Sequence, residues 1–200
     1  MQIKKAVCLL ALVGFFVAPS KANALTTAGI ISANGDMLST PIEITEEIVE
    51  TETEIAVVLE WDEMSVPTNN SFKSYMDAKY ITDQTSYQYQ FKSNYELSSS
   101  GIYTVDGRYC IAVGSYYTTT IGTRIDLVMD NGSVIPCILA DCKADKDTDS
   151  SNRQNPNGSV VEFVVNTSYL SDSVKLHGDV SYADETLMGE IVAIRVYREN

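Results

Sequence analysis

Asp130-Asn131-Gly132 sits between two apolar, β-branched runs, residues 123–129 and 133–140, and is the strongest hairpin signal in the chain. Asn and Gly tolerate the backbone angles of a tight turn, and the flanking runs have the composition of strands. Similar runs occupy residues 108–113, 160–165, 191–197 and 55–61, the last broken by Val66-Pro67-Thr68-Asn69-Asn70. Tyr87, Tyr89 and Phe91 alternate with Gln88 and Gln90, the pattern of a half-buried strand. Six or seven short strands without βαβ alternation predict a mainly β domain over residues 55–200, arranged as a small, closed or nearly closed six-stranded barrel. One short amphipathic helix is predicted from Phe72, Tyr75, Met76, Lys79 and Tyr80, with Asn70 or Ser71 as its N-cap. Its aromatic face suits packing against a sheet, or alternatively a sugar platform.

The N-terminus reads as an export signal. Lys4 and Lys5 precede an apolar run over residues 6–18, and Ala22-Asn23-Ala24 is a small-x-small cleavage site, so residues 1–24 are expected to be removed. The run is shorter than the about 20 residues that cross a bilayer. Cys8 lies within it with no small-residue junction at a cysteine, so no lipid anchor is expected. These features predict a secreted protein, extracellular or wall-associated, without membrane contact after processing.

The segment 1–24 carries three lysines and no acid, so processing takes the formal charge from −13 to −16. A chain of that charge repels phosphate backbones, and nucleic acid is not an expected partner. Much of the acid is concentrated in Glu43, Glu46, Glu47, Glu50, Glu52 and Glu54, which mark residues 25–54 as a solvated leader. Cys110, Cys137 and Cys142 survive processing; one pair of the three has the option of bridging in an oxidising compartment, and sequence does not choose which.

Residues 107–149 hold the richest pattern. The strand Arg108-Tyr109-Cys110-Ile111-Ala112-Val113 leads through Gly114-Ser115-Tyr116-Tyr117 to Ile121-Gly122-Thr123, then to the hairpin, and ends in Ile138-Leu139-Ala140-Asp141. This order resembles the double-psi β-barrels of bacterial cell-wall proteins: the three-aspartate domain, the rare lipoprotein A family and membrane-bound lytic transglycosylase A. The wider pattern is similar to uncharacterised secreted proteins of Firmicutes. Ser74-Tyr75-Met76-Asp77, Gly107-Arg108-Tyr109-Cys110, Lys143-Ala144-Asp145 and Gly178-Asp179-Val180-Ser181-Tyr182 carry that likeness.

The barrel resemblance implies peptidoglycan glycan strands as the partner and Asp141 as the catalytic residue, with Asp145 as the second candidate. A lytic transglycosylase needs one carboxyl group: it protonates the glycosidic oxygen and then takes the proton of the muramic acid 6-hydroxyl as a 1,6-anhydro ring closes. Such an acid must be partly neutral near pH 7. The apolar residues Val134, Ile135, Ile138 and Leu139 before Asp141 offer a setting that raises its pKa. The family glycine turn after the aspartate is replaced here by Cys142-Lys143. The alternative role for Asp141 is to cap its strand, and the alternative for the whole chain is a non-catalytic binding or structural barrel at the cell surface.

Two other constellations are weaker. Asp145, Asp147 and Asp149 alternate as in calcium loops, but Ser150 and Pro156 stand where such a loop needs Gly and Glu, which favours a solvated acidic loop. A Cys142–His177 dyad lacks any local signature of cysteine catalysis. No metal or cofactor is expected.

Overall fold

The computed structural model describes residues 2–8, 57–67 and 70–198; the predicted leader and most of the predicted signal segment lie outside them. Residues 57–198 supply nine strands of one sheet, and Gln2–Cys8 (β1) lies at its edge beside Val57–Ser65 (β2). From β2 the order runs through Ile191–Tyr197 (β10), Arg124–Met129 (β7) and Val134–Cys142 (β8) to Arg108–Val113 (β6). There the sheet forks. The start of β6 pairs with Tyr103–Val105 (β5), which leads to Glu96–Leu97 (β4). The end of β6 pairs with Val161–Val165 (β9), which leads to Ser74–Asp77 (β3).

The mainly β expectation holds, but the six-stranded barrel does not: the sheet is open. Forking at β6 sends it into two arms, so the far strands do not return to β2. Both β6–β8 and β3–β9 are parallel pairs. Parallel neighbours need covered faces, and the central strands accordingly lie between two apolar clusters. Ile111, Val113, Leu127, Leu139 and Phe163 belong to the larger cluster; Cys110, Ile138, Ala140 and Val164 belong to the smaller one on the opposite face. This is why residues 108–113 and 135–140 read as continuous apolar runs.

The hairpin forms where the sequence places it. Gly132 (φ 83°) closes it, its N–H donating to Met129 O (3.0 Å) while Met129 N–H donates to Ser133 O (2.9 Å). Beyond the predicted end at residue 61, β2 continues because its acids meet arginines across the register: Glu63 accepts from Arg195 Nε (3.1 Å) and Asp62 from Arg198 Nη2 (2.6 Å).

Two local assignments are corrected. The predicted helix around residues 72–80 is instead β3 followed by a single 3-10 turn, Ala78–Tyr80. Asp77 decides this. Its Oδ1 accepts the Lys79 N–H (2.9 Å), and its Oδ2 accepts the N–H and Oγ1–H of Thr167, just past β9 (3.1 and 2.5 Å). Those bonds hold the segment extended beside β9. The alternating segment at Tyr87 is a short helix, Tyr87–Phe91 (α1), with Ser86 Oγ accepting from Tyr89 N–H (3.2 Å). Tyr89 and Phe91 pack on the smaller cluster from this helix, while Tyr87 is 80% exposed, so the three alternating aromatics do not share one buried face.

Candidate functional site

A β-bulge near the end of β8 creates the site. Ile111 of β6 pairs with Leu139 but Ala112 pairs with Asp141, leaving Ala140 as the extra residue. Regular alternation would turn Asp141 onto the large-cluster face with Leu139. Instead Ala140 packs in the small cluster and Cys142 against the large one, so Asp141 follows Ala140 onto the small-cluster face. Re-aiming one side chain is what a bulge does to a strand.

On that face Ala112 has a second neighbour, Glu162 of β9, and Glu162 is in turn opposite Ser74 of β3. Asp141, Ala112, Glu162 and Ser74 thus form one rung across four strands. With strands about 4.8 Å apart, the two acidic residues stand about 10 Å apart at Cα, over the methyl group of an alanine. They line an open depression of about 580 Å³ together with Lys143, Asp147, Asn155 and Asn157. Cys142, Ala144 and Pro156 complete its lining, which holds no aromatic ring.

Asp141 Oδ1 accepts the backbone N–H of Cys142 (2.9 Å). Burial raises its pKa; the Cys142 amide works against that, and the Glu162 charge reinforces it. Burial raises the pKa as expected, but not through the residues named from the sequence: Val134 is exposed, Ile135 and Leu139 lie in the larger cluster on the other face, and only Ile138 shares this one. The Tyr95 hydroxyl has no hydrogen-bond partner among the described residues, and its pKa is raised by burial, then by Cys110 and Asp141.

Glu162 is the most engaged member. Its Oε1 accepts from Asn155 Nδ2 (2.8 Å) and Ser74 Oγ (3.4 Å), and Lys143 Nζ lies 3.5 Å away. The Lys143 side chain is 3% exposed, and its Nζ reaches Glu162 Oε1 only at 3.5 Å, the outer limit of a hydrogen bond, with no closer acceptor among the described residues. Burial lowers the Lys143 pKa to about 8 against the pull of Glu162.

The other sequence candidates lie apart from this group. Asp145 does not line the depression: its Oδ1 accepts from Ser115 Oγ (2.6 Å) on the exposed surface. Asp149 closes its own loop, accepting from Arg153 N–H and Ser151 Oγ (both 2.8 Å). Among the described residues no three His, Cys, Asp or Glu side chains converge as metal ligands. Cys142 Sγ donates to Thr119 O (3.4 Å), while His177 stacks on Tyr182 at 4.1 Å, so neither member of the conceivable dyad engages the other. Burial pushes the Cys142 thiol up to about 11, away from the thiolate a nucleophile needs.

Cys110, Cys137 and Cys142 are all free thiols. Cys110 faces the small cluster and the other two face the large one. Cys137 and Cys142 are five residues apart on one strand, roughly 16 Å at about 3.3 Å per residue, too far to bridge.

Glu162, Lys143 and Asn155 were not among the sequence candidates. One signal was available for the first: Glu162 is the single charge within the apolar run 160–165. No protein-family model matches the chain, and no match was found among curated proteins or solved structures.

Proposed function

We propose that the chain acts outside the cell on the glycan of the bacterial wall, with Asp141 as the acid of a lytic transglycosylase-like cleavage. The observation that carries this reading is the bulge that turns a carboxyl of raised pKa into an open polar depression. Bulges recur beside active sites for this purpose. Asp141 would protonate the glycosidic oxygen while neutral and accept the 6-hydroxyl proton afterwards, with Tyr95 and Ala112 limiting its contact with water. Sugar would be held by hydrogen bonds to Asn155, Asn157 and the acids rather than by stacking. The reading rests on the export signal and on the order of strand, glycine turn and terminal aspartate in the sequence, while the open sheet does not reproduce the barrel of the double-psi wall proteins.

The test is digestion of purified peptidoglycan by the wild type and Asp141→Asn. Wild type is expected to release muropeptides with 1,6-anhydro ends. Positioned acid–base catalysis contributes about 100- to 10,000-fold, and the variant should lose about that much. Its stability at neutral pH should be equal or higher. An acid whose folded pKa is raised destabilises the fold once ionised, and the Asn side chain still accepts the Cys142 N–H. Reducing ends would instead bring in the second carboxylate, Glu162, and sink the single-acid mechanism. No release from several wall types, with Asp141→Asn less stable than wild type, would leave the strand-cap role and a non-catalytic surface module.

A further inference from the structure

The glycan reading gives Lys143 no role, although it lies with Glu162 and Asn155 in the same depression. We propose that Lys143 Nζ and Asn155 Cγ join in an intramolecular isopeptide bond, with Glu162 carrying the protons.

Three observations converge on this. First, one oxygen, Glu162 Oε1, touches both reactants: Asn155 Nδ2 at 2.8 Å and Lys143 Nζ at 3.5 Å. The two nitrogens are therefore no more than about 6 Å apart. Asn155 Cγ lies one C–N bond, about 1.3 Å, from Nδ2, so the reaction requires Nζ to swing from Glu162 onto Cγ, to the about 3–3.5 Å of a reacting pair. Second, Lys143 is buried, and beyond the distant Glu162 oxygen its Nζ has no acceptor among the described residues. A buried ammonium without acceptors is costly, and a neutral amine is far less so. The low pKa given above agrees with this. Third, Asn155 is fixed by its own turn. Its N–H donates to Ser159 O (2.8 Å), its carbonyl accepts from Gly158 N–H (2.9 Å), and the residue is 8% exposed. Nucleophile and electrophile are thus both buried at the base of the depression, with the proton carrier, 25% exposed, between them.

The chemistry balances without oxidant or cofactor. The Lys143 ammonium passes a proton to Glu162, leaving an amine and a carboxylic acid. Nζ adds to Asn155 Cγ. Glu162 gives its proton to Nδ2 and takes one from Nζ. The Cγ–Nδ2 bond breaks and ammonia leaves, so the products are one secondary amide, one ammonia and a protonated Glu162.

The bond would close the loop 143–155 that rims the depression. The bond would convert the Asn155 amide that the glycan reading assigns to sugar, but it is read by mass alone, whatever the glycan assay gives. The full chain, purified in its native state, should weigh one ammonia, about 17 Da, less than its sequence with the observed N-terminus. Because an Asn-Gly pair such as Asn157-Gly158 also loses ammonia on cyclising, the site must be located. Tryptic digestion should give a branched product in which the peptide containing Lys143 is joined to the one containing Asn155, with no cleavage after Lys143. Lys143→Arg and Asn155→Ala should each have their full calculated mass, and Glu162→Gln should accumulate uncrosslinked chain. Asn155→Asp should lose water, about 18 Da, in place of ammonia. Wild type of full calculated mass, or a mass loss that persists in both Lys143→Arg and Asn155→Ala, would overturn the proposal.

Discussion

Asp77→Asn should weaken the fold in a way that depends on pH. Burial raises the pKa of this carboxyl, but the Thr167 hydroxyl, the Lys79 and Thr167 amides and the Lys79 charge together outweigh it, leaving the group at about 2 against 3.8 for a free aspartate. At 1.36 kcal/mol per unit, that difference corresponds to about 2.4 kcal/mol of folding free energy when the group is ionised. Lys79 is 61% exposed, and its part is largely screened by water, so about 1–2 kcal/mol is the reasonable share. The sign follows from the depressed value. The stabilisation is fully present above 3.8 and disappears as pH falls through about 2. Asn cannot supply the charge and puts an amide N–H where Asp77 accepts. At pH 7 the variant should therefore melt about 2–8 °C lower, at about 2–4 °C per kcal/mol for a domain of this size. Thermal or urea unfolding of the full chain at pH 7, 4 and 2 reads the gap. Equal stability at pH 7, or a gap that stays constant down to pH 2, would refute the reasoning.

Two further substitutions test how the sheet holds the site. Tyr197→Phe removes an O–H donating to Asp126 Oδ2 (2.6 Å), although Arg108 still pairs with that carboxylate. A hydrogen bond to a charged group contributes about 1.5–3 kcal/mol, so a loss of about 1.5 kcal/mol is expected in denaturant unfolding; no loss would mean that Arg108 alone satisfies Asp126. Gly114→Ala would place a Cβ 2.0 Å from Asn152 O, a contact with backbone that no rotamer relieves. Overpacking of this kind costs about 1–3 kcal/mol. Proteolysis should become faster within residues 145–158, and an unchanged cleavage rate would show that the loop does not rest on Gly114.

The strands were legible where local chemistry and tertiary demand agree. Residues 108–113 and 124–129 are apolar enough to be largely buried on both faces, residues 191–197 bury Ile191 and Ile194, and Asp130-Asn131-Gly132 makes its turn from backbone preference. Asp141 was legible as a strand-end acid in apolar company for the same reason. The segments 72–80 and 87–91 were misread because periodicity reports which face an element would bury, not whether a neighbour exists to bury it. Phe72 to Tyr80 has helical spacing, yet β9 and the Thr167 bonds to Asp77 draw it into the sheet; Tyr87 to Phe91 alternates, yet it packs on the smaller cluster as a helix and pairs with no strand. The open sheet follows from β6 taking three partners, a choice made by contacts far apart in sequence. The same holds for the site. Sequence supplies Asp141, Lys143, Asn155 and Glu162 as scattered polar residues, but only the one-residue bulge at Ala140 and the pairing of β6 with both β8 and β9 bring them to one face of the sheet.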